Sequence, residues 1–510
     1  MAFRRGRWLA AGTGVAVVAA AVAIVLAEQS GGSAPVLVRL STAPLGVSVA
    51  PWDGVYTGSG AAVIQPLLSA AGIKQIRYGG GSYADFYDWQ TNTNIGNCLP
   101  NDTGASFTSG CASKDPLGFS QFSRQARAIG ADSFVTVNYG SGTPALAAAW
   151  VTAAEQATGE HVALWEVGNE SYGCYEVNNE LAGAPAHYQG YRPATASAAG
   201  QYQTCPQTAE GPDAGTKTLA TSYADNALRF LQAMKKADPA AVIGVPWAFG
   251  SSVAGSSVAD SDEWNSTVLG TDGAEVGFVD AHYYPFNFAG STGGANPSDS
   301  RVLQALRAIP GLEASVRAGL AAHDPGAAVV IGETAVSSSP TTTVCTPVGA
   351  LFAAGDTLSW LASGARSVDW WDINNEGNTG ASCTSPDYGL FTSAARPAAE
   401  TPYYGYLLAS ALARPGAQLG FLTTSDSADV LAYQSVLPGG KDAVAFVNLD
   451  TSGPRTVTFP APAGLTGTLR SLTYSAGSQN ATQSKVVTGT TTAASSVTLP
   501  AESITVLETQ

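Results

Sequence analysis

Eight short apolar runs punctuate the first 415 residues of this chain, at 45–49, 74–78, 133–138, 163–167, 242–246, 277–281, 328–332 and 367–372. Each has strand length, and runs that are apolar on both faces suit parallel strands covered by helices. The stretches between them carry helical length and apolar spacing, clearest at 61–71, 144–157, 217–237 and 302–323. A strand followed by a helix, eight times over, predicts an α/β fold, a closed (β/α)8 TIM barrel. Beyond residue 415 the pattern shortens to β-rich runs at 430–436, 443–447, 456–459, 468–474, 496–499 and 504–507, separated by Gly, Pro, Asn or Ser. These predict a C-terminal antiparallel β-sandwich domain, which the run at 36–40 is placed to join. The sandwich is expected to be a stabilising module, with carbohydrate binding as the alternative.

The expected domain plan is 1–27 targeting segment, 28–43 leader and strand, 44–414 barrel and 415–510 sandwich. Arg4, Arg5 and Arg7 precede an uncharged run at 8–27 that ends in Val25, Leu26 and Ala27. This is the pattern of a cleaved signal peptide. Its alternative is an uncleaved membrane anchor, since twenty helical residues span about 30 Å. Either places the body of the protein outside the cytoplasm, secreted or membrane-anchored.

With 510 residues, 57 glycines, 12% charged residues and a formal net charge of −15, the chain can bury a large core. That charge argues against nucleic acid or an anionic membrane surface as a partner, because both select clustered Lys and Arg. Six cysteines, Cys98, Cys111, Cys174, Cys205, Cys345 and Cys383, suit an exported, disulfide-bonded protein. Neighbour pairing (98 with 111, 174 with 205, 345 with 383) is expected. All six fall in loops that follow strands, so they should shape the rim of the barrel's C-terminal face. No C-x-x-C occurs and His161, His187, His282 and His323 are not clustered with the cysteines, so neither a metal nor a cofactor is expected.

Two of the runs end on a glutamate: ALWEVGNE at 163–170 and AAVVIGE at 327–333. A buried parallel strand that delivers a carboxylate to its C-terminal tip puts it where a TIM barrel keeps its chemistry. Two such carboxylates can break a glycosidic bond, one protonating the leaving oxygen and the other attacking or stabilising the anomeric carbon. Glu170 is read as the acid and Glu333 as the nucleophile. Asn169 offers an amide to a sugar hydroxyl, and Gly168 and Gly332 leave room near the backbone. A lone glutamate at a strand tip can equally cap a helix or pair with an arginine. Their occurrence as a pair, in this company, favours catalysis.

The chain resembles the clan-A retaining glycoside hydrolases, and is most similar to their α-L-arabinofuranosidase branch, which joins such a barrel to a β-sandwich. Four segments carry the resemblance: RYGGGSYADFYDW (77–89), VNYGSGT (137–143), WEVGNESYG (165–173) and IGET (331–334). It implies net retention through a covalent glycosyl-enzyme, with Glu170 acting first as acid and then as base. Within DAHYY (280–284), it implies that Tyr284 donates a hydrogen bond to Glu333 and favours its charged form. Arg77 would point toward the same nucleophile. His282 would line that wall or serve structurally. Asn138, Ser82, Trp370 and Trp371 are candidate sugar contacts, with one of the two tryptophans expected in the core.

Three features depart from the branch. Gly79 stands where proline is usual, Thr-Ala follows Glu333 where Trp is common, and the segment from Cys174 to Cys205 is long. Since βα loops set substrate preference, a β-glucuronidase, β-xylosidase or β-glucanase of the same clan stays open beside arabinofuranosidase. A non-catalytic carbohydrate-binding protein is the reading from another class, one that would normally have lost one of the glutamates.

Overall fold

The computed structural model describes residues 36–95, 112–158, 162–173, 176, 219–250, 253, 261–287, 297–375, 377–379, 383, 385–475, 479–480, 483–484, 486–492 and 495–509. The expected targeting segment and Cys98, Cys111, Cys174 and Cys205 lie outside the described residues.

Eight parallel strands close into a barrel in chain order: Leu45–Val49, Gln75–Tyr78, Asp132–Val137, Leu164–Val167, Ile243–Trp247, Phe278–Tyr283, Ala328–Thr334 and Ser367–Trp370. A helix follows each: Gly58–Ala70, Phe119–Ala128, Pro144–Thr158, Leu219–Ala237, Ser261–Asp272, Ile309–Ala321, Pro347–Ser363 and Thr401–Ala409. The stretch 302–323, expected as one helix, is two. Asp299–Ala305 and Ile309–Ala321 are joined by a 3-10 turn at Leu306–Ala308. Pro310 accounts for the break, because it has no N–H to continue the ladder and its fixed φ suits the first turn of a new helix.

Side chains alternate along each strand between the barrel interior and the surrounding helices. Phe134, Leu164, Phe278 and Val330 form an apolar plug inside. Two residues further along the same strands stand Thr136, Glu166, Asp280 and Gly332, so the interior turns polar toward the C-terminal end. Gly332 is required there. A Cβ on it would lie 2.2 Å from Asp280 Oδ2, and its N–H donates to Asp280 Oδ1 at 2.6 Å.

The C-terminal region forms a seven-stranded antiparallel sheet, in the order Val38–Arg39, Gln418–Phe421, Val430–Val436, Asp442–Asn448, Ser503–Thr509, Thr468–Ser475 and Val487–Thr492. Leu422, Val444, Phe446 and Leu507 on one side pack with Val457, Phe459 and Leu499 of a two-stranded sheet, Arg455–Thr458 with Ser496–Leu499. The other face belongs to the barrel's own core, where Tyr433 donates to the Gly355 carbonyl at 3.1 Å and shares a 2.8 Å hydrogen bond with Ser359. Both partners sit on Pro347–Ser363, in which Val348 to Ala362 are all buried. Its sequence, apolar nearly all round, suits a helix held between barrel and sheet.

Candidate active site

Glu333 sits one residue before the end of the seventh barrel strand, 4% exposed, with a donor on each oxygen. Arg77 Nη1, from the second strand, donates to Oε1 at 2.6 Å, and the Gly81 N–H reaches the same oxygen at 3.2 Å. The Tyr284 hydroxyl donates to Oε2 at 2.7 Å. Burial, and then the charge of Glu333, hold the Tyr284 phenol well above its ordinary value, so it stays a donor. Fixed donors on both oxygens leave the carboxylate little freedom to rotate.

Glu170 comes from the tip of the fourth strand, where Gly168 has φ +79° and Glu170 itself φ +43°. A non-glycine residue in this left-handed region is strained, and such strain persists where the surroundings over-determine it. Those surroundings are the Tyr172 hydroxyl, donating to Oε1 at 3.2 Å, and His282 Nδ1, 2.9 Å from the same oxygen. His282 Nδ1 also lies 3.4 Å from Glu333 Oε2, and its Nε2 lies 3.4 Å from Asp280 Oδ2. Burial would lower the His282 value, but Glu333 and then Asp280 outweigh it and raise it well above normal. An imidazolium with an acceptor on each side fits that position. One oxygen each of Glu170 and Glu333, and a nitrogen of His282, fall within 4.8 Å of one another. The two glutamates therefore lie side by side.

Four residues at this centre were not singled out in the sequence for a role. Glu166 accepts from Arg77 Nη2 at 2.8 Å and from Thr136 at 2.9 Å, and Asp280 Oδ2 lies 3.6 Å from Arg77 Nε. Burial pushes Glu166 up to about 8 against the pull of Arg77. Tyr172 and Glu176 are the others, Glu176 accepting from Asn169 Nδ2 at 3.1 Å. The signal for Glu166 and Asp280 was their phase: each is charged at an inward strand position, two residues beyond a plug residue. Carboxylates and His282 offer the donor atoms of a metal site. Arg77 already stands among those carboxylates as their counter-charge, raised above its usual value by Glu166, Glu333 and Asp280 although burial opposes this.

The remaining candidates divide. Asn169 Oδ1 accepts from Arg77 Nη2 at 3.0 Å and from the Gly81 N–H at 2.9 Å. Ser82 is exposed at the mouth and donates to Glu176 Oε1 at 2.8 Å. Trp371 is partly buried beside Gly81, where a Cβ would come within 2.7 Å of its ring. One expectation needs correction. Asn138 is no sugar contact, because its Oδ1 caps the Ser141 and Gly142 N–H groups and its Nδ2 donates to the Tyr87 carbonyl. Trp370 is fully buried, its indole N–H donating to the Tyr388 carbonyl at 2.8 Å, and it is the tryptophan that belongs to the core. At the rim, a disulfide joins Cys345, after the seventh strand, to Cys383, after the eighth.

Solved structures share this arrangement of barrel and sandwich. A glycoside hydrolase family 51 arabinofuranosidase from Xanthomonas axonopodis pv. citri aligns over 93% of this chain and 98% of its own, with TM-score 0.65 and 16% identity. This chain has their fold. A family 51 α-L-arabinofuranosidase from Bifidobacterium longum aligns over 94% and 98%, with TM-score 0.63 and 16% identity. A 4-O-α-L-rhamnosyl-β-D-glucuronidase from Fusarium oxysporum aligns over 93% and 97%, with TM-score 0.59 and 16% identity. No protein-family model matches the sequence, and no curated protein matches it.

Proposed function

We propose that this protein is a retaining glycoside hydrolase acting on a carbohydrate, and that an α-L-arabinofuranoside is its substrate. The observation that carries the reading is the meeting of Glu170 and Glu333 beside His282, with a carboxylate oxygen of each and a ring nitrogen of His282 within 4.8 Å of one another. Double displacement needs carboxyl groups about 5–5.5 Å apart, whereas inversion needs about 6.5–9.5 Å to admit a water. Glu333, held by Arg77, Gly81 and Tyr284, attacks the anomeric carbon and forms a glycosyl ester as the glycosidic C–O bond breaks. Glu170 gives its proton to the departing oxygen. It then takes a proton from water, which attacks the same carbon and releases Glu333.

The arabinofuranoside assignment draws support from the two family 51 neighbours and from the motifs at 77–89 and 165–173. The glucuronidase neighbour favours a β-glucuronidase as the second reading. Against it, Arg77 is fully enclosed and shared among Glu166, Glu333 and Asp280, leaving that guanidinium no free face for a substrate carboxylate. We place the enzyme outside the cytoplasm, on the signal-peptide or anchor pattern of residues 1–27 and the Cys345–Cys383 bridge, which suits an oxidising compartment.

The test is turnover of a panel of aryl glycosides by wild type and Glu333→Ala. Wild type should hydrolyse the aryl α-L-arabinofuranoside with retention, and Glu333→Ala should lose at least ~10³-fold in kcat while added azide restores turnover. A folded wild type that binds saccharide and hydrolyses none of the panel would leave a binding protein instead.

A further inference from the structure

We infer that Glu176 is a positioning residue: it decides which way the Asn169 amide faces, and through Asn169 it holds Arg77, Gly81 and so Glu333 in place. The inference rests on the reading of Glu333 as nucleophile. Glu176 is 2% exposed and so is closed off from a substrate. Its Oε1 accepts from Ser82 Oγ at 2.8 Å and from Asn169 Nδ2 at 3.1 Å. With its NH2 taken there, Asn169 turns its oxygen toward Arg77 Nη2 and the Gly81 N–H, at 3.0 and 2.9 Å. The same Gly81 N–H, and Arg77 through its other terminal nitrogen, Nη1, are the donors on Glu333 Oε1. If the amide were flipped, its NH2 would face two donors and its oxygen would face Glu176, so every contact would be lost together.

Glu176 suits this task because it can accept and donate at once. Burial, and then the charges of Asp85 and Glu170, push it well above the usual carboxylate range, which favours its protonated form. A proton on this carboxyl leaves Oε1 as acceptor for Ser82 and Asn169 and lets Glu176 pair with Asp85. An ionised carboxylate would instead repel Asp85.

The test compares Glu176→Gln, which keeps an accepting oxygen and a donating group, with Glu176→Met, which has similar volume and neither. Kinetics on the aryl α-L-arabinofuranoside are read beside crystal structures of both variants. Gln should keep kcat within ~3-fold, and Met should lose at least ~10-fold in kcat with KM changed less than ~3-fold, since the loss falls on the placement of the nucleophile. In the Met structure, Asn169 should leave Arg77. Met with wild-type kcat, an unmoved Asn169 in that structure, or Gln as impaired as Met would overturn the inference. Should Met not fold, the Gln variant still decides, because a displaced Asn169 there would also overturn it. If wild type hydrolyses no glycoside, the proposed function falls, while the crystal structures still judge how Asn169 is held.

Discussion

Tyr284 gives the cleanest measure of how tightly Glu333 is held, since its hydroxyl is a neutral donor on a single oxygen. Tyr284→Phe removes that donor with little change of shape. A hydrogen bond to a charged group contributes about 1.5–3 kcal/mol, so kcat on the aryl arabinofuranoside should fall roughly 10- to 150-fold with the fold intact. Equal kcat in the two proteins would show that Arg77 and Gly81 suffice. At this scale the sequence was informative where chemistry sits at a strand tip. Glu170, Glu333, Asn169, Arg77, His282 and Tyr284 were all visible, and the structure brings them together. Asn138 was misread because a polar residue after a strand looks the same whether it faces a sugar or caps its own loop. Glu176 was missed because the pairing that defines it, with Ser82 and Asn169, spans 94 residues to one partner and 7 to the other.

Among the elements, the eight barrel strands were legible because continuous burial leaves continuous apolar runs. Gln418–Phe421 and Val487–Thr492 were not. Val487–Thr492 is exposed at all six positions, so it carries none of the alternation that marks a strand with one buried face. Gly79 explains one departure from the resembled motif, since its φ of +80° is closed to proline. The loops after strands seven and eight are joined by the Cys345–Cys383 bridge, which spans 38 residues of chain. Constraint of a loop that long in the unfolded state is worth up to ~4 kcal/mol. Replacing both cysteines by serine should therefore lower the melting temperature measured by calorimetry, and reductant should lower that of wild type by more than that of the variant. An unchanged wild-type melt under full reduction would show that packing alone holds these loops.

Over the whole molecule, buried acids set the response to pH. Burial pushes Asp369 up to about 8, opposed by Gln75; it pushes Asp272 to about 8 and Glu400 to about 9, helped by Asp225 and Asp387 respectively. In the unfolded chain such groups lose their protons near pH 4. Between that point and their folded values the unfolded state binds fewer protons, so the stability these three groups contribute is fully present below about pH 4 and declines as pH rises through their folded values. Melting temperature should be higher at pH 5 than at pH 8.5 by at least ~2 °C, about the shift that ~1 kcal/mol produces in a large domain. The opposite slope would mean these acids are ionised in the fold.

Pro347–Ser363 carries one last implication. The strand that presents Glu333 runs, through the loop closed by Cys345, into a helix whose outer surface is roofed by the C-terminal sheet. Modules that trade places between proteins part along wetted seams, and this seam is greasy. A gene fragment ending at residue 414 would bare that roofed surface to water, so barrel and sheet must be inherited, and engineered, as one piece.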